Sequence, residues 1–141
     1  MKGHLVKDIM TVDVLSIAPD STLPEARRLM SSKKVRRLPV LDAGKLVGII
    51  SLSDVDEASP SGASTLSIWE LNYVLAKLQV KEVMTRDPIT VTPETTVGET
   101  ARLMAQKKIG GIPVVDAAGA LAGVVTESDI FRLVAREWSA S

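Results

Sequence analysis

The chain repeats itself, and a chain that repeats folds as repeats. Val6-Lys7-Asp8-Ile9-Met10-Thr11 returns at an offset of 74 as Val80-Lys81-Glu82-Val83-Met84-Thr85. Pro19 falls on Pro93, Arg28-Leu29-Met30 on Arg102-Leu103-Met104, Lys33-Lys34 on Lys107-Lys108, and Pro39-Val40 on Pro113-Val114. One extra residue near Ala118 moves the offset to 75, after which Gly44, Leu46, Gly48, Ser53 and Asp54 fall on Gly119, Leu121, Gly123, Ser128 and Asp129. Residues 6–42 hold 16 identities in 37 positions, and residues 44–55 another 5 in 12. Unrelated segments of ordinary composition agree at about one position in 15. A copy of about 50 residues is too small to bury a good core alone, so the two copies are expected to pack as a pseudo-twofold pair.

Each copy reads as strand, helix, strand, strand, helix, an α/β (α+β) pattern. Leu15-Ser16-Ile17 and Ile89-Thr90-Val91 alternate, are β-branched and are closed by Pro19 or Pro93, which predicts a short strand. Thr22-Leu23-Pro24-Glu25 and Thr96-Val97-Gly98-Glu99 have the spacing of a capping box. The helix that follows runs to about Lys34 or Lys108, with cations at its C-terminal end. Two strands come next, Leu38–Leu41 and Leu46–Ser51 in the first copy, Ile112–Val115 and Leu121–Thr126 in the second, joined by turns at Asp42–Lys45 and Asp116–Gly119. A last helix starts at Ser53-Asp54 or Ser128-Asp129. Between the copies, Ala58–Thr65 reads as a loop. Leu66–Leu78 reads as a helix capped by Ser64 or Thr65, with Ile68, Leu71, Leu75 and Leu78 on one stripe. The domain division is therefore 1–58, a linker over 59–79, and 80–141.

Composition removes several classes of function. Lys plus Arg and Asp plus Glu are 17 each, a net charge of zero, and nucleic-acid binders carry a basic excess. There is no Cys and one His, His4, so disulfides, Cys-based metal sites and a His-dependent triad fall away. Aromatic residues are 3%, too few for a base-stacking platform. Every apolar run is broken within about ten residues, against the about 20 a spanning helix needs. No signal peptide is visible, and the cytoplasm is the expected location. No metal site and no catalytic acid–base pair is expected. Trp69, Tyr73 and Trp138 are expected in the core or in a dimer contact, Met10, Met30, Met84 and Met104 in the core, and His4 is given no role.

One group of residues carries chemistry. In the second copy, Thr126-Glu127-Ser128-Asp129 lies where a strand ends and a helix begins. Such an N-terminus offers unpaired N–H groups and a positive dipole end to phosphate. The Thr126 hydroxyl can donate to a phosphate oxygen, and Asp129 is an acceptor-only carboxylate suited to a ribose diol. Gly110-Gly111-Ile112-Pro113 lets a flat ring approach the backbone, and Ile89, Val91 and Ile112, with Thr90 beside them, can sandwich it. The alternative is that Thr126 and Asp129 only cap the helix. The first copy offers Ser51 and Asp54, with Ser16 and Ile17 from the short strand. Arg36-Arg37 then stand before Leu38-Pro39, where the second copy has glycines. Two cations favour a more highly phosphorylated ligand; otherwise they belong to a solvated cluster with Lys33 and Lys34.

The repeat resembles the CBS domain, named for cystathionine β-synthase, and its tandem arrangement resembles a CBS pair, or Bateman module. The Val-Lys-Asp/Glu-Ile/Val-Met-Thr opening carries the resemblance, with the apolar-Pro-Val strand and the Gly-Ile-Ile-Ser or Gly-Val-Val-Thr strand that runs into Ser-Asp. It covers residues 6–56 and 80–136. Ile68-Trp69-Glu70-Leu71-Asn72-Tyr73 is similar to the linker of the acetoin-utilisation CBS proteins, which implies that the chain is a part of a longer protein with a C-terminal domain. The resemblance assigns the Ser/Thr-x-x-Asp motif to phosphate and ribose. It implies a non-enzymatic regulatory sensor with clefts between the repeats for AMP, ADP, ATP, S-adenosylmethionine or NAD, and with no required cofactor. It further implies a homodimer packed through helices and an unnamed regulated partner, with neither nucleic acid nor membrane. The rival expectations are a ligand-free structural or dimerisation module and a nucleotide hydrolase. The apolar face Ile130, Leu133 and Val134, with Phe131 beside it, is the one expected to seek a second chain.

Overall fold

The structure, a computed structural model, describes residues 4–58 and 68–139. The loop and cap expected over 59–65 lie outside the described residues, as do the side chains of Ile68, Leu71 and Leu75. The contacts divide the chain into two units, Leu15–Asp87 and residues 1–14 with 88–141.

In the first unit Thr22 and Glu25 form the expected capping box. The Glu25 N–H donates to Thr22 Oγ1 at 3.3 Å and the Thr22 N–H to the Glu25 carboxylate at 3.2 Å. Helix α1 (Leu23–Lys33) starts there and stops at Lys34, which turns left-handed at φ 56°. Strands β1 (Arg37–Asp42) and β2 (Lys45–Ser51) form an antiparallel hairpin with Arg37 opposite Ser51 and Asp42 opposite Lys45. Its two central residues, Ala43 and Gly44, have φ of 51° and 83°, as the tight turn of a twisted hairpin requires. Then come α2 (Leu52–Ala58), α3 (Ile68–Lys77), α4 (Val80–Val83) and β3 (Thr85–Arg86), which pairs with β2. Leu23, Ala26, Met30, Leu38, Val40, Ile50, Val55 and Val80 make the core. Leu78, the end of the expected linker stripe, packs against that core.

The second unit repeats this plan with a short 3-10 turn (Val6–Asp8), α5 (Val97–Lys107), β4 (Gly111–Val115), β5 (Leu121–Thr126) and α6 (Glu127–Trp138). Its core is Val6, Val91, Val97, Met104, Ile112, Val114, Val125, Ile130 and Leu133. The extra residue near Ala118 enlarges the β4–β5 loop. There the Asp116 carboxylate accepts from Ala118 N at 2.9 Å and Ala120 N at 3.0 Å, and Gly119 takes φ 83°.

Three observations depart from the sequence reading. The short first strand of each copy shrinks to a single parallel bridge. Ile17 N donates to Pro39 O, and Leu41 N to Ile17 O, both at 3.0 Å, and Val91 does the same with Pro113 and Val115. A turn follows each proline and ends the pairing. Second, each copy's opening hexapeptide docks in the unit that holds the other copy's helices. Val6 N donates to Thr95 O at 2.8 Å and Lys7 N to Pro93 O at 3.0 Å, while Val80 N donates to Ser21 O at 2.7 Å and Lys81 N to Pro19 O at 3.0 Å. Third, of the core or dimer contact expected for the aromatic residues, the core fails, since they are exposed in this chain: Trp69 80%, Tyr73 63% and Trp138 70%. Tyr73 instead lies under Lys77 Nζ, 4.2 Å from the ring centre. His4 is tied to the end of α6, with Nε2 2.9 Å from Glu137 Oε1.

The repeated glycines explain the second departure. A Cβ on Gly123 would stand 2.6 Å from Thr11 O and 3.1 Å from Met10 Sδ; one on Gly48 would stand 2.8 Å from Thr85 O and 2.6 Å from Met84 Sδ. Glycine at these positions lets the Met-Thr pair of the docked segment lie on the hairpin and bridge it, Thr11 to Val124 and Thr85 to Ile49.

Candidate functional site

Backbone pairing assembles the same constellation in each unit. In the second, Gly111 is the cross-strand partner of Thr126, so their side-chain positions share one face of the hairpin. The Glu127 N–H donates to Gly110 O at 3.0 Å. Val91 is bridged to Val114. Thr90–Val91, Gly110–Pro113 and Thr126–Asp129 therefore meet at one end of the sheet. In the first unit Arg37 is opposite Ser51, Leu52 N donates to Arg36 O at 2.8 Å, and Ile17 is bridged to Val40. This gathers Ser16, Ile17, Arg36–Pro39, Ser51 and Asp54 in the same way.

Strand alternation sorts these residues further. Ile112, Val114 and Val125 face the helices and belong to the core, as do Leu38, Val40 and Ile50. Gly111, Pro113 and Thr126 take the opposite face, and so do Arg37, Pro39 and Ser51. Of the three side chains expected to sandwich a ring, Val91 and Ile112 are buried in the core and Ile89 is partly exposed. Ile112 and Leu38 are 0% and 1% exposed as whole residues; these stretches reach the surface at Gly110 and at Arg36–Arg37. Thr90, Ser16 and Arg36 are exposed, and Gly110, Arg37, Ser51, Asp54 and Thr126 are half-buried.

Thr126 and Asp129 form a capping box on α6. Asp129 N donates to Thr126 Oγ1 at 3.4 Å, and Thr126 N to Asp129 Oδ2 at 2.8 Å. Ser51 and Asp54 do the same on α2, at 3.1 and 2.8 Å. The capping alternative is thus realised in both copies, and it orients the carboxylates. The surroundings of the two carboxylates differ. Asp129 is 3% exposed, and its Oδ1 accepts from Arg132 Nη2 at 2.5 Å and from the Thr11 hydroxyl at 3.4 Å. The first copy has Glu57 in place of Arg132. Sequence reasoning missed both Thr11 and Arg132. Their traces in the sequence are the Glu57 that stands under Arg132 and the Met-Thr pair that recurs in both copies; neither places them beside Asp129.

Each unit also has a hollow between two of its helices. The one between α5 and α6 holds about 430 Å³ and is lined by Ala101, Met104, Ala105, Ile109, Ile130 and Phe131 among others. The one between α1 and α2 holds about 450 Å³ and presents Arg27, Arg28, Ser31 and Ser32. The first also reaches Gly110 and Glu127, but neither is lined by Thr126, Asp129, Ser51 or Asp54. Arg27 is paired with Asp56. Among the described residues no group of three His, Cys, Asp or Glu side chains is placed to hold a metal, and no helix is long and apolar enough to cross a membrane.

A family model described as CBS domain matches residues 6–61 and 80–136. An inosine-5′-monophosphate dehydrogenase of Korarchaeum cryptofilum is 40% identical over 119 residues, which are 84% of this chain and 22% of the dehydrogenase. This chain therefore spans about a fifth of that relative. A CBS domain-containing protein of Dictyostelium discoideum is 34% identical over 131 residues, 92% of this chain and 90% of its own length. Among solved structures, CBSX2 of Arabidopsis thaliana in complex with AMP is 31% identical with a TM-score of 0.80, over 96% of this chain and 98% of that one. The CBS domain pair of protein MJ0100, in complex with 5′-methylthioadenosine and S-adenosyl-L-methionine, is 31% identical with a TM-score of 0.78, over 94% and 97%. A Vibrio cholerae protein assigned to acetoin utilization is 32% identical with a TM-score of 0.75, over 97% and 98%. With both copies matched and the fold shared along nearly its whole length, the chain belongs to the CBS domain family, as a tandem pair.

Proposed function

We propose that the chain is a regulatory sensor that binds adenine nucleotides or related adenosyl compounds, one site per unit, and catalyses no reaction of its own. In the second unit Thr126 and the first N–H groups of α6 take phosphate, Asp129 takes the ribose hydroxyls, and the backbone of Gly110–Pro113 with Thr90 and Val91 takes the adenine. In the first unit Ser51, Asp54, Arg36–Pro39, Ser16 and Ile17 play these parts. The observation that carries the reading is the pairing of Gly111 with Thr126 and of Arg37 with Ser51. It brings the stretch we assign to the ring and the stretch we assign to phosphate, neighbours on one hairpin, side by side. The AMP complex of CBSX2 and the methylthioadenosine and S-adenosylmethionine complex of MJ0100 support the ligand class.

AMP, ADP, ATP, S-adenosylmethionine and NAD are the candidates, with no required cofactor. Arg37 opposite Ser51, with Arg36 next to it, favours the more phosphorylated ligand in the first unit. The functional division is the first repeat (1–58), the linker (59–79) and the second repeat (80–141). The setting is the cytoplasm, and a regulated partner reads the occupied state. Calorimetry with AMP, ATP, S-adenosylmethionine and NAD tests the reading. Saturable heat with at least one supports it, and no heat with any overturns it. ATP left intact after long incubation with Mg²⁺ is the expected result for a sensor, and its hydrolysis would contradict one. A second reading, a ligand-free dimerisation module, is favoured by the 64% exposed Phe131 beside the α5–α6 hollow. A dimer that gives no heat with any of the four would establish it.

A further inference from the structure

A carboxylate offers about four lone-pair positions to donors. Asp129 has all of them engaged. Oδ2 accepts from Thr126 N at 2.8 Å and from Thr126 Oγ1 at 3.1 Å; Oδ1 accepts from Arg132 Nη2 at 2.5 Å and from Thr11 Oγ1 at 3.4 Å. A ribose diol can bind this carboxylate only by displacing a donor. The Thr126 N–H closes the cap of α6, and the Arg132 bond is short and charge-assisted; the Thr126 hydroxyl frees one position on Oδ2 when it turns to phosphate, and a diol, with two hydroxyls to place, needs a second. The Thr11 hydroxyl is neutral, makes the longest of the four bonds and comes from an exposed side chain. It is the donor that leaves at least cost.

Among the described residues Asp54 has no such occupant: its carboxylate accepts from Ser51 N alone. Thr85, the repeat counterpart of Thr11, bridges Ile49 through its backbone as Thr11 bridges Val124, yet makes no bond to Asp54. The two copies therefore have the same motif in two states, one carboxylate open and one covered.

We propose that the Thr11 hydroxyl is a placeholder for a ligand ribose hydroxyl on Asp129, and that ligand binding in the second unit displaces it. This rests on the nucleotide-binding reading of the Thr126–Asp129 site. It makes Thr11 a residue that sets affinity from outside both repeated binding motifs. It also makes the second site the weaker of the two for a diol-bearing ligand. When the side chain is displaced, the backbone of Thr11 stays pinned to Val124, by bonds of 2.9 and 3.0 Å. The change is then confined to one rotamer and to the hydrogen bond it made.

The test is calorimetry of AMP and of 2′,3′-dideoxy-AMP, in an Asp54→Ala background that leaves the second site to be read alone. Thr11→Val keeps the shape and removes the donor. It should tighten AMP by about 3- to 10-fold, the low end for a hydrogen bond to a carboxylate because this one is long at 3.4 Å, and leave dideoxy-AMP within about 2-fold. Thr11→Ser, which keeps a hydroxyl, should fall short of the valine gain. Unchanged or weaker AMP binding by Thr11→Val, with Asp129→Asn still weakening it, overturns the placeholder and leaves the nucleotide reading standing. Equal tightening of AMP and dideoxy-AMP also overturns it, because the gain would not then come from the diol. Failure of the unmutated chain to bind any of the candidate ligands overturns both.

Discussion

Asp129 and Asp54 occupy equivalent places in the repeat, and their neighbours give them different electrostatic settings. Asp129 is buried against an arginine, whereas Asp54 is half-buried with Glu57 three residues along its helix. Removing the acceptor of a ligand hydroxyl in such a site costs about 1.5–3 kcal/mol, which is about 10- to 100-fold in affinity. Asp129→Ala is expected to lose that much AMP binding in the second unit. It should also lower the unfolding free energy by about 1 kcal/mol, because the cap of α6 loses its carboxylate. Calorimetry and urea denaturation read the two separately. A stability loss with unchanged affinity would mean that the residue only caps. A second residue carries strain of its own. Ala43 sits at φ 51° in a two-residue hairpin turn, a region that costs a Cβ-bearing residue about 1–2 kcal/mol. Asn followed by the existing Gly44 is the pair that suits this turn best. Ala43→Asn is therefore expected to stabilise the chain by about 0.5–1 kcal/mol, visible as a higher urea midpoint with an unchanged slope. A lower midpoint would contradict the strain.

At the scale of elements, what the sequence made legible was local and what it hid was long-range. The helix starts at Thr22 and Thr96, the stops at Lys34 and Lys108 and the Asp42–Lys45 hairpin follow from side chains within a few residues of each boundary. The β4–β5 hairpin was legible too, but its register was not: the enlarged loop and a shift at Val114 and Val115 decide that Gly111 stands opposite Thr126. The docking of Val6–Thr11 on the second copy's hairpin joins residues far apart in the chain, and no periodicity encodes such a partner. Its trace was the coincidence of two repeated features, a Met-Thr pair and a mid-strand glycine, each of which looks unremarkable alone. Thr11 and Arg132 escaped for the same reason, since each matters only through where Asp129 lies. Gly123→Ala tests the docking. Its Cβ would meet Thr11 O, a backbone atom that cannot swing aside. We expect a loss of about 1–3 kcal/mol, the usual cost of overpacking, with faster hydrogen exchange at the Thr11 and Val124 amides. Unchanged exchange at both would show that glycine is not needed for the crossing.

For the whole molecule the open question is what covers α6. The face formed by Ile130 and Leu133, expected to seek a second chain, is already buried inside its own unit, with Val134 partly covered. The exposed apolar stripe lies one residue round the helix. Phe131 is 64% exposed and Trp138 is 70% exposed, two turns apart, with Ala135 between them. Helix positions spaced by four and then three share a side. Phe131 also lines the α5–α6 hollow, beside the small side chains of Ala101 and Ala105. An aromatic ridge next to a shallow apolar groove on the same surface can pack against its own copy about a twofold axis, the commonest closed arrangement. Sedimentation at micromolar concentration is expected to show a species of twice the 15.1 kDa chain mass. Phe131→Glu would place a charge in the centre of that contact and is expected to return the chain to 15.1 kDa while its far-UV circular dichroism stays that of the folded chain, since the ring is not part of the core. A wild-type chain that sediments at 15.1 kDa with and without nucleotide would leave the α6 stripe to a partner of another kind, and would remove any route by which one chain's bound ligand could influence a second copy.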